Sequence, residues 1–185
     1  MIREYFRRYR RVFWLAGLEI VVLVCLVWVT SYLITQHYNS QFRVVYSLDR
    51  RQNDQEIIKV INSAQKYVYF AIYYFTEQGI ADALVGAKSR GLIVRGIMDA
   101  AASLESNKRV ADKLRAAGIT LLVQKHQDGI MHIKAVVTDK AYASGSYNWT
   151  SAATEANDEV LEIGTDDSVR AQYLGIIKKI LKKNE

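Results

Sequence analysis

Cysteine and proline are almost absent from this chain of 185 residues, which contains one cysteine and no proline. The single cysteine, Cys25, excludes an intrachain disulfide and a zinc site built on cysteine ligands. Without proline, glycine and asparagine are the main residues that end helices and strands. No internal repeat is apparent, so any functional motif occurs once in this sequence.

A strong excess of charge is also lacking in most of the chain, although the formal net charge is +6. Residues 1–35 contain five Arg against two Glu, and the remaining residues contain 20 Lys and Arg against 17 Asp and Glu. Each part therefore has a net charge of +3. The larger part is only mildly basic, and its charge alone does not identify a partner.

One long apolar run lies near the N-terminus, with Glu19 as its only charged residue. Residues 12–35 can form a helix that crosses a hydrocarbon core of ~30 Å. The basic flank, residues 1–11, carries five arginines, so the positive-inside rule predicts a cytoplasmic N-terminus and a C-terminal domain on the outer (periplasmic or extracellular) face. A cleaved signal peptide and a buried core helix are the alternatives. The length of the run and its bulky C-terminal end favour an uncleaved transmembrane helix.

After this helix we expect a juxtamembrane connector, residues 36–51, and one folded domain, residues 52–185. Helix caps, glycine stops and β-branched runs predict alternating elements. The predicted helices cover 55–66, 76–90, 103–118 and 167–183, and the predicted strands cover 67–75, 92–98, 119–123, 131–138 and 159–164, with one more extended run around 146–149. The β-α-β-α-β order implies parallel strands with right-handed crossovers. The expected fold class is therefore α/β, with a mixed, mainly parallel sheet and helices on both faces.

A nucleophile, a cation, small polar donors and a carboxylate are concentrated between residues 132 and 159. Because side chains alternate along a strand, His132 and Lys134 are predicted to share one face, and Ser146 and Asn148 to share a face of the next extended run. Two neighbouring strands then bring an imidazole, an ammonium, a hydroxyl and an amide into one small volume. This combination suits a site for a phosphate diester.

The spacing of these groups resembles the motif of the phospholipase D superfamily. The residues that carry the resemblance are His132, Lys134, Asp139, Gly145, Ser146, Asn148 and Glu159. The stretch from residue 67 to residue 99 also resembles the segment that precedes the motif in the family's small bacterial nucleases. Five residues separate Asp139 from Gly145, one fewer than in the common family pattern, and a hairpin turn can absorb this difference.

The resemblance implies a covalent mechanism that requires no metal and no other cofactor. In this mechanism His132 attacks phosphorus and forms a phosphohistidine. Lys134 and Asn148 hold the non-bridging oxygens, and Ser146 adds a donor. Glu159 accepts a hydrogen bond from the second ring nitrogen of His132 and so orients the ring.

The resemblance also implies that one chain carries half of a site, because the family uses a second histidine to protonate the leaving oxygen. We therefore expect a homodimer with two His132 side chains facing each other across a two-fold axis. The motif residues Asp139 and Gly145 are assigned structural roles. His126 is a candidate for an accessory role in substrate binding.

Other interpretations of the same residues exist. A metal site from His126, His132 and one of Asp158, Asp166 and Asp167 is the main chemical alternative, but these residues lack a recognisable ligand spacing. Taken singly, each motif residue is ordinary for an exposed strand or a turn, and only their combination favours a phosphodiesterase.

The expected substrate is nucleic acid, so the chain is predicted to be a non-specific endonuclease that cleaves DNA or RNA. The alternative is a phospholipase D or cardiolipin hydrolase that acts on membrane phospholipid. A non-catalytic module that binds nucleic acid or lipid is the third interpretation, and the complete set of motif residues disfavours it.

Overall fold

The computed structural model of the protein describes residues 2–40, 42–100, 105–124 and 129–185. It divides the chain into two units, Met1–Gln41 and Phe42–Glu185. The first unit is a single helix, α1 (Ile2–Ser40). The second unit contains one seven-stranded sheet and the remaining helices.

Helix α1 contains one segment, Trp14–Thr35, that is long and apolar enough to cross a membrane, with a mean hydropathy of 2.2. A signal sequence passes the same test of length and composition. The two threonines near its end place their hydroxyls on carbonyls of the preceding turn, Thr30 on Leu26 at 2.8 Å and Thr35 on Ser31 at 2.9 Å. Their hydrogen-bonding groups are thus satisfied inside the helix, as an apolar surrounding requires.

The second unit alternates strands and helices along the chain. Its strands are β1 (Phe42–Tyr46), β2 (Tyr67–Ile72), β3 (Ile93–Asp99), β4 (Thr120–Gln124), β5 (Lys134–Thr138), β6 (Tyr142–Gly145) and β7 (Val160–Gly164). Its helices are α2 (Ser47–Arg50), α3 (Asn53–Ser63), α4 (Gln78–Ser89), α5 (Glu105–Ala116), α6 (Ser151–Glu155) and α7 (Asp167–Asn184). Helices α4 and α5 are followed by glycines with positive φ, Gly91 at 85° and Gly118 at 74°, which explains where they end.

The strand order is β1-β7-β6-β5-β2-β3-β4, and helices cover both faces of this mixed sheet. The predicted α/β class is confirmed, but the expectation of a mainly parallel sheet is wrong. Only β2–β3 and β3–β4 are parallel among the six described strand pairs, and the other four are antiparallel. The reason is that β5 pairs antiparallel with β2, and that β6 and β7 each pair antiparallel with the strand before them.

The folded unit begins ten residues earlier than predicted. Residues 42–50, which were assigned to the connector, form β1 and α2, and β1 pairs antiparallel with β7 from Phe42↔Gly164 to Tyr46↔Val160. The buried side chain of Ser47 ties this segment to Glu159, the residue immediately before β7. The domain boundary therefore lies at residue 42 rather than at residue 52.

Strand β2 lies in the interior and has both faces covered. Val68 and Phe70 point to the layer of α3, α4 and α5, whereas Tyr69 and Ala71 point to α7 on the opposite face. This double burial explains why the strand appears in the sequence as a continuous apolar run. Its C-terminal end, and the start of the adjacent β5, position the candidate site.

Candidate active site

His132 and Lys134 lie at the beginning of β5, next to the end of β2. The strand starts at Lys134, which is paired with Ile72, so His132 precedes the strand rather than lying within it as predicted. The His132 side chain is exposed, whereas Lys134 is only 5% exposed. An accessible imidazole thus stands beside a buried cation.

The Lys134 ammonium is held in place by two contacts. Its Nζ donates to the carbonyl oxygen of His132 at 3.1 Å and lies 5.2 Å from the centre of the Tyr73 ring. Burial lowers the pKa of Lys134 below its ordinary value, and the negative charge of Glu159 partly offsets that effect. Within the described residues, two of its three N–H donors remain available for an anionic ligand.

Asn148 is oriented by the backbone that follows β2. Its Oδ1 accepts a hydrogen bond from the N–H of Tyr74 at 3.3 Å. Tyr147 and Trp149 on either side are each 1% exposed and pack into the core, so the alternation predicted for this run is present. Because the amide oxygen is occupied, the NH₂ group of Asn148 is the end that a ligand oxygen can contact, and it has no partner in the described part of the chain.

Ser146 and Glu159 form a second polar cluster, next to Lys134. The Ser146 hydroxyl donates to a carboxylate oxygen of Glu159 and accepts from the N–H of Val160 at 3.1 Å. Gly145 makes this close approach possible, because a Cβ at that position would lie 2.1 Å from the carbonyl oxygen of Val160. The shortened connection after Asp139 does not disturb this register: β5 and β6 are joined by a turn of three residues.

The expected hydrogen bond from His132 to Glu159 is not present within one chain. Among the described residues, Glu159 accepts from Ser146 and from Asn157 Nδ2, the latter at 3.3 Å, and neither ring nitrogen of His132 has a hydrogen-bond partner. The backbone of Glu159 is fixed by Ser47 through reciprocal bonds of 2.9 Å. Within a chain, the carboxylate therefore acts as a counter-charge to Lys134.

Asp139 lies in the turn after β5 and points away from the polar groups of the site. Its Oδ1 accepts from the N–H groups of Gln65 and Lys66, at 2.9 and 3.0 Å, immediately before β2. Burial pushes the pKa of Asp139 upward, but these amide hydrogen bonds outweigh it, and the pKa lies below its ordinary value. These contacts support the structural role assigned to the aspartate of the motif.

Tyr73 and Tyr74 belong to the site, and the sequence did not single them out. Both are half-buried and follow β2, where the sequence predicted that the strand continues. Tyr73 contacts His132 and Lys134, and the Tyr74 backbone contacts Asn148. Their position in the sequence could have indicated this role. They directly follow a buried strand, at the edge of the sheet where the adjacent strand begins with Lys134, just after His132.

A cleft of about 240 Å³ opens beside the imidazole of His132. Its lining is mainly aliphatic, with a lysine and an amide, and consists of Gln124, Ile130, Met131, His132, Ile133, Ile180 and Lys183.

The alternative metal site finds no support in the described part of the chain, where no group of three or more His, Cys, Asp or Glu side chains comes together. The carboxylates proposed for it have other partners: Asp158 accepts from Tyr46, Asp166 caps α7, and Asp167 pairs with Arg170. His126, the candidate for an accessory role, lies outside the described residues.

Several known proteins are similar to this chain. The family described as "Cardiolipin synthase, PLD-like domain" matches residues 57–181. A phospholipase D of Rickettsia conorii is 31% identical over 119 residues, which are 64% of this chain and 58% of the relative. A mitochondrial cardiolipin hydrolase of Xenopus tropicalis is 33% identical over 114 residues, 61% of this chain and 53% of the relative. The chain thus spans little more than half the length of these relatives.

A solved structure shares the fold of the second unit. Nuc from Salmonella typhimurium, described as a phospholipase D family member, superposes with a TM-score of 0.72 at 24% identity. The superposition covers 78% of this chain and 95% of Nuc. At this identity the likeness concerns the arrangement of helices and strands.

Proposed function

This chain belongs to the phospholipase D superfamily, and on that basis we propose that it is a membrane-anchored hydrolase that cleaves phosphodiester bonds of nucleic acid without a metal ion. The observation that carries the proposal is the exposed imidazole of His132 beside two sets of available donors, on Lys134 and Asn148. A nucleophile and two oxygen-binding groups are the minimum that phosphoryl transfer through a protein side chain requires.

The proposed reaction proceeds in two displacements at phosphorus. In the first, a ring nitrogen of His132 forms a bond to phosphorus, the bond to the leaving oxygen breaks, and the partner's His132 protonates that oxygen. In the second, water attacks the phosphohistidine and gives its proton to the partner's His132, and the phosphorus–nitrogen bond breaks. The product is a phosphate monoester, and both imidazoles return to their starting states.

Lys134 and Asn148 are proposed to stabilise the charge that develops on the non-bridging oxygens. Their donors are already oriented, by the His132 carbonyl in one case and by the Tyr74 N–H in the other. Donors that need no reorientation stabilise a transition state more than a ground state. Ser146 bonds to Glu159 and is proposed to add a weaker contact.

The homodimer is part of the proposal, because one chain supplies one motif. A co-expression experiment tests it: tagged wild-type chain is produced with an equal amount of His132→Ala chain, and the mixed population is assayed. If each active unit needs two His132 side chains, random pairing lowers the activity per wild-type chain to about half. Activity proportional to the wild-type chain alone, from a monomeric protein, would overturn the dimer.

Nucleic acid is proposed as the substrate because cations lie close to the nucleophile. Lys183 lines the same cleft as His132, and the end of α7 carries three further lysines, Lys178, Lys179 and Lys182. Phosphates on either side of the scissile one are available to such cations in a nucleic acid strand. A phospholipid with one phosphate offers no neighbouring phosphate of this kind, and cardiolipin, which has two, offers one neighbour rather than a continuous row.

To test the substrate, the full-length protein in detergent is incubated with each of four substrates in the presence of EDTA. The substrates are single-stranded DNA, duplex DNA, RNA and phospholipid vesicles. The proposal predicts cleavage of nucleic acid that weakens steeply as salt rises, and no cleavage by a His132→Ala preparation purified in parallel. Hydrolysis of lipid alone would overturn the nucleic acid assignment, and loss of activity with EDTA would overturn the metal-independent mechanism.

A phospholipase or cardiolipin hydrolase is the second candidate, and one observation favours it: four aliphatic side chains line the cleft beside His132. Ile130 among them is 55% exposed, so an acyl chain can reach it. Two variants separate the candidates. Lys183→Gln should lower the salt dependence of nucleic acid cleavage, whereas Ile130→Gln should raise the KM only if an acyl chain occupies the cleft.

The membrane anchor is proposed from α1. The segment Trp14–Thr35 would span the bilayer, the arginine-rich residues 1–11 would stay in the cytoplasm, and the catalytic unit would lie on the outer face. A C-terminal reporter enzyme that is active only after export tests the orientation. The size of the mature chain distinguishes an uncleaved anchor from a cleaved signal sequence.

A further inference from the structure

Tyr73 is the aromatic ring that contacts the proposed nucleophile directly. The centres of the Tyr73 and His132 rings are 4.7 Å apart and their planes meet at 60°. This is an edge-to-face arrangement within the range that aromatic pairs prefer. Since His132 is exposed and its ring nitrogens have no hydrogen-bond partner among the described residues, this contact is what restricts the imidazole within one chain.

The same ring also contacts the cation of the site. Lys134 Nζ lies 5.2 Å from the centre of the Tyr73 ring, within the distance at which a cation is attracted to an aromatic face. Lys134 is in turn bonded to the carbonyl of His132. One side chain therefore sets the separation of nucleophile and ammonium, which is the geometry that an attack on a bound phosphate depends on.

Tyr73 is itself fixed by its neighbour. Its ring lies 4.5 Å from the Tyr74 ring at 76°, and burial, together with the neighbouring Tyr74 hydroxyl, raises the pKa of the Tyr73 hydroxyl. The N–H of Tyr74 holds Asn148. A continuous series of contacts thus runs from the imidazole, through two adjacent aromatic residues, to the amide on the other side of the site.

We propose that Tyr73 is a positioning residue of the phosphodiesterase site, and that its ring, rather than its hydroxyl, sets the orientation of His132 relative to Lys134. The proposal rests on the proposed function for its catalytic consequence, but the contact itself is independent of the substrate. The proposal predicts that full activity requires an aromatic ring at position 73 but does not require a phenolic oxygen there.

The test compares three variants of the full-length protein in detergent. Tyr73→Leu removes the ring, Tyr73→Phe keeps it without the hydroxyl, and Tyr67→Leu removes a half-buried tyrosine from the other end of β2, roughly 20 Å away along the strand. We expect Tyr73→Leu to lower kcat by about 10- to 100-fold with a smaller change in KM. Tyr73→Phe should stay within about threefold of wild type, and Tyr67→Leu should leave kcat unchanged. Thermal unfolding verifies that each variant is folded.

A spectroscopic readout separates positioning from mere stability. The chain has three histidines, so the ring-proton signal of His132 is assignable in a histidine-labelled sample by its loss in His132→Ala. The Tyr73 ring should displace this signal through its ring current; Tyr73→Leu should move it, and Tyr73→Phe should retain it. The proposal would be overturned if the His132 signal did not move in Tyr73→Leu, or if the kcat of Tyr73→Phe were as low as that of Tyr73→Leu. If the wild type cleaves no phosphodiester, the proposed function fails, while the signal still reports whether the ring contact exists.

Discussion

The structural role proposed for Asp139 implies a loss of stability on its replacement, and the size of that loss can be calculated. Asp139 accepts amide hydrogen bonds from Gln65 and Lys66, and its side chain is 8% exposed. A hydrogen bond to a charged group contributes about 1.5–3 kcal/mol, and the two amides lie on exposed residues that water partly satisfies after the carboxylate is removed. We therefore expect Asp139→Ala to cost about 2–3 kcal/mol. Asp139→Asn retains an acceptor and should cost about 1 kcal/mol.

The pH dependence of this loss has a definite sign. Because the folded-state pKa of Asp139 is lowered from its ordinary 3.8, its contribution is fully present above that value and is lost as the pH falls through the folded-state pKa. The difference in stability between the wild type and Asp139→Asn should therefore be constant near neutral pH. It should shrink as the pH falls below about 4.

The assay is thermal unfolding of the full chain in detergent, with kcat measured well below the midpoint. A loss of 1 kcal/mol lowers the midpoint by about 2–4 °C in a chain of this size. Asp167→Asn is the matched control, because that carboxylate is 92% exposed and should contribute little. If Asp139→Asn instead lowered kcat by 100-fold or more at an unchanged midpoint, the aspartate would be part of the chemistry and the reasoning would be refuted.

Three further predictions concern the polar groups and the glycine of the site. Lys134→Met should lower kcat by about 10²–10³-fold in initial-rate assays with the fold retained, since it removes an oriented donor; a loss below tenfold would exclude Lys134 from the site. Because burial lowers the pKa of Lys134 from 10.5, activity should fall on the alkaline side at a pH below that value as the ammonium loses its proton, and an unchanged rate up to pH 10.5 would contradict this. Gly145→Ala should destabilise the fold by more than about 2 kcal/mol in thermal unfolding, because its Cβ would lie 2.1 Å from the Val160 carbonyl oxygen; a wild-type midpoint would show that β6 and β7 separate easily.

The local elements of the fold could be predicted because their signals are local. The apolar side of α3, the glycines after α4 and α5, and the β-branched run of β2 each indicate one element. Strand direction depends on distant partners instead. The β-α-β-α-β order correctly implies parallel pairing for β2, β3 and β4, but nothing near β5 in the sequence indicates that it pairs antiparallel to β2.

The edge strand β1 illustrates the same limit. Its five residues follow directly after a long apolar helix, and its partner β7 lies more than 110 residues away along the chain. The sequence therefore favours a connector here, whereas in the structure this segment forms the edge strand of the sheet. Ser47, which fixes the backbone of Glu159, was overlooked for the same reason.

In the site, the motif residues could be predicted because chemistry restricts which side chains can serve. His132, Lys134 and Asn148 gather at one end of β2 and β5 as expected. The residues that position these three side chains can be of several types, so chemistry does not identify them in the sequence. Tyr73 contacts the imidazole through its ring. Glu159, which immediately precedes β7, accepts hydrogen bonds from Ser146 and Asn157 instead of the predicted bond from His132.

The central claim is that His132 forms a covalent bond to phosphorus, and trapping that intermediate tests it most directly. The full-length protein is mixed with the substrate that it cleaves, quenched in alkali within the first turnover, and digested. The peptide that carries both His126 and His132 is then fragmented in a mass spectrometer. We expect a phosphorus-linked adduct on His132, with the mass of the transferred group, and none in the His132→Ala protein. Turnover without any adduct, or an adduct on His126 in its place, would contradict it.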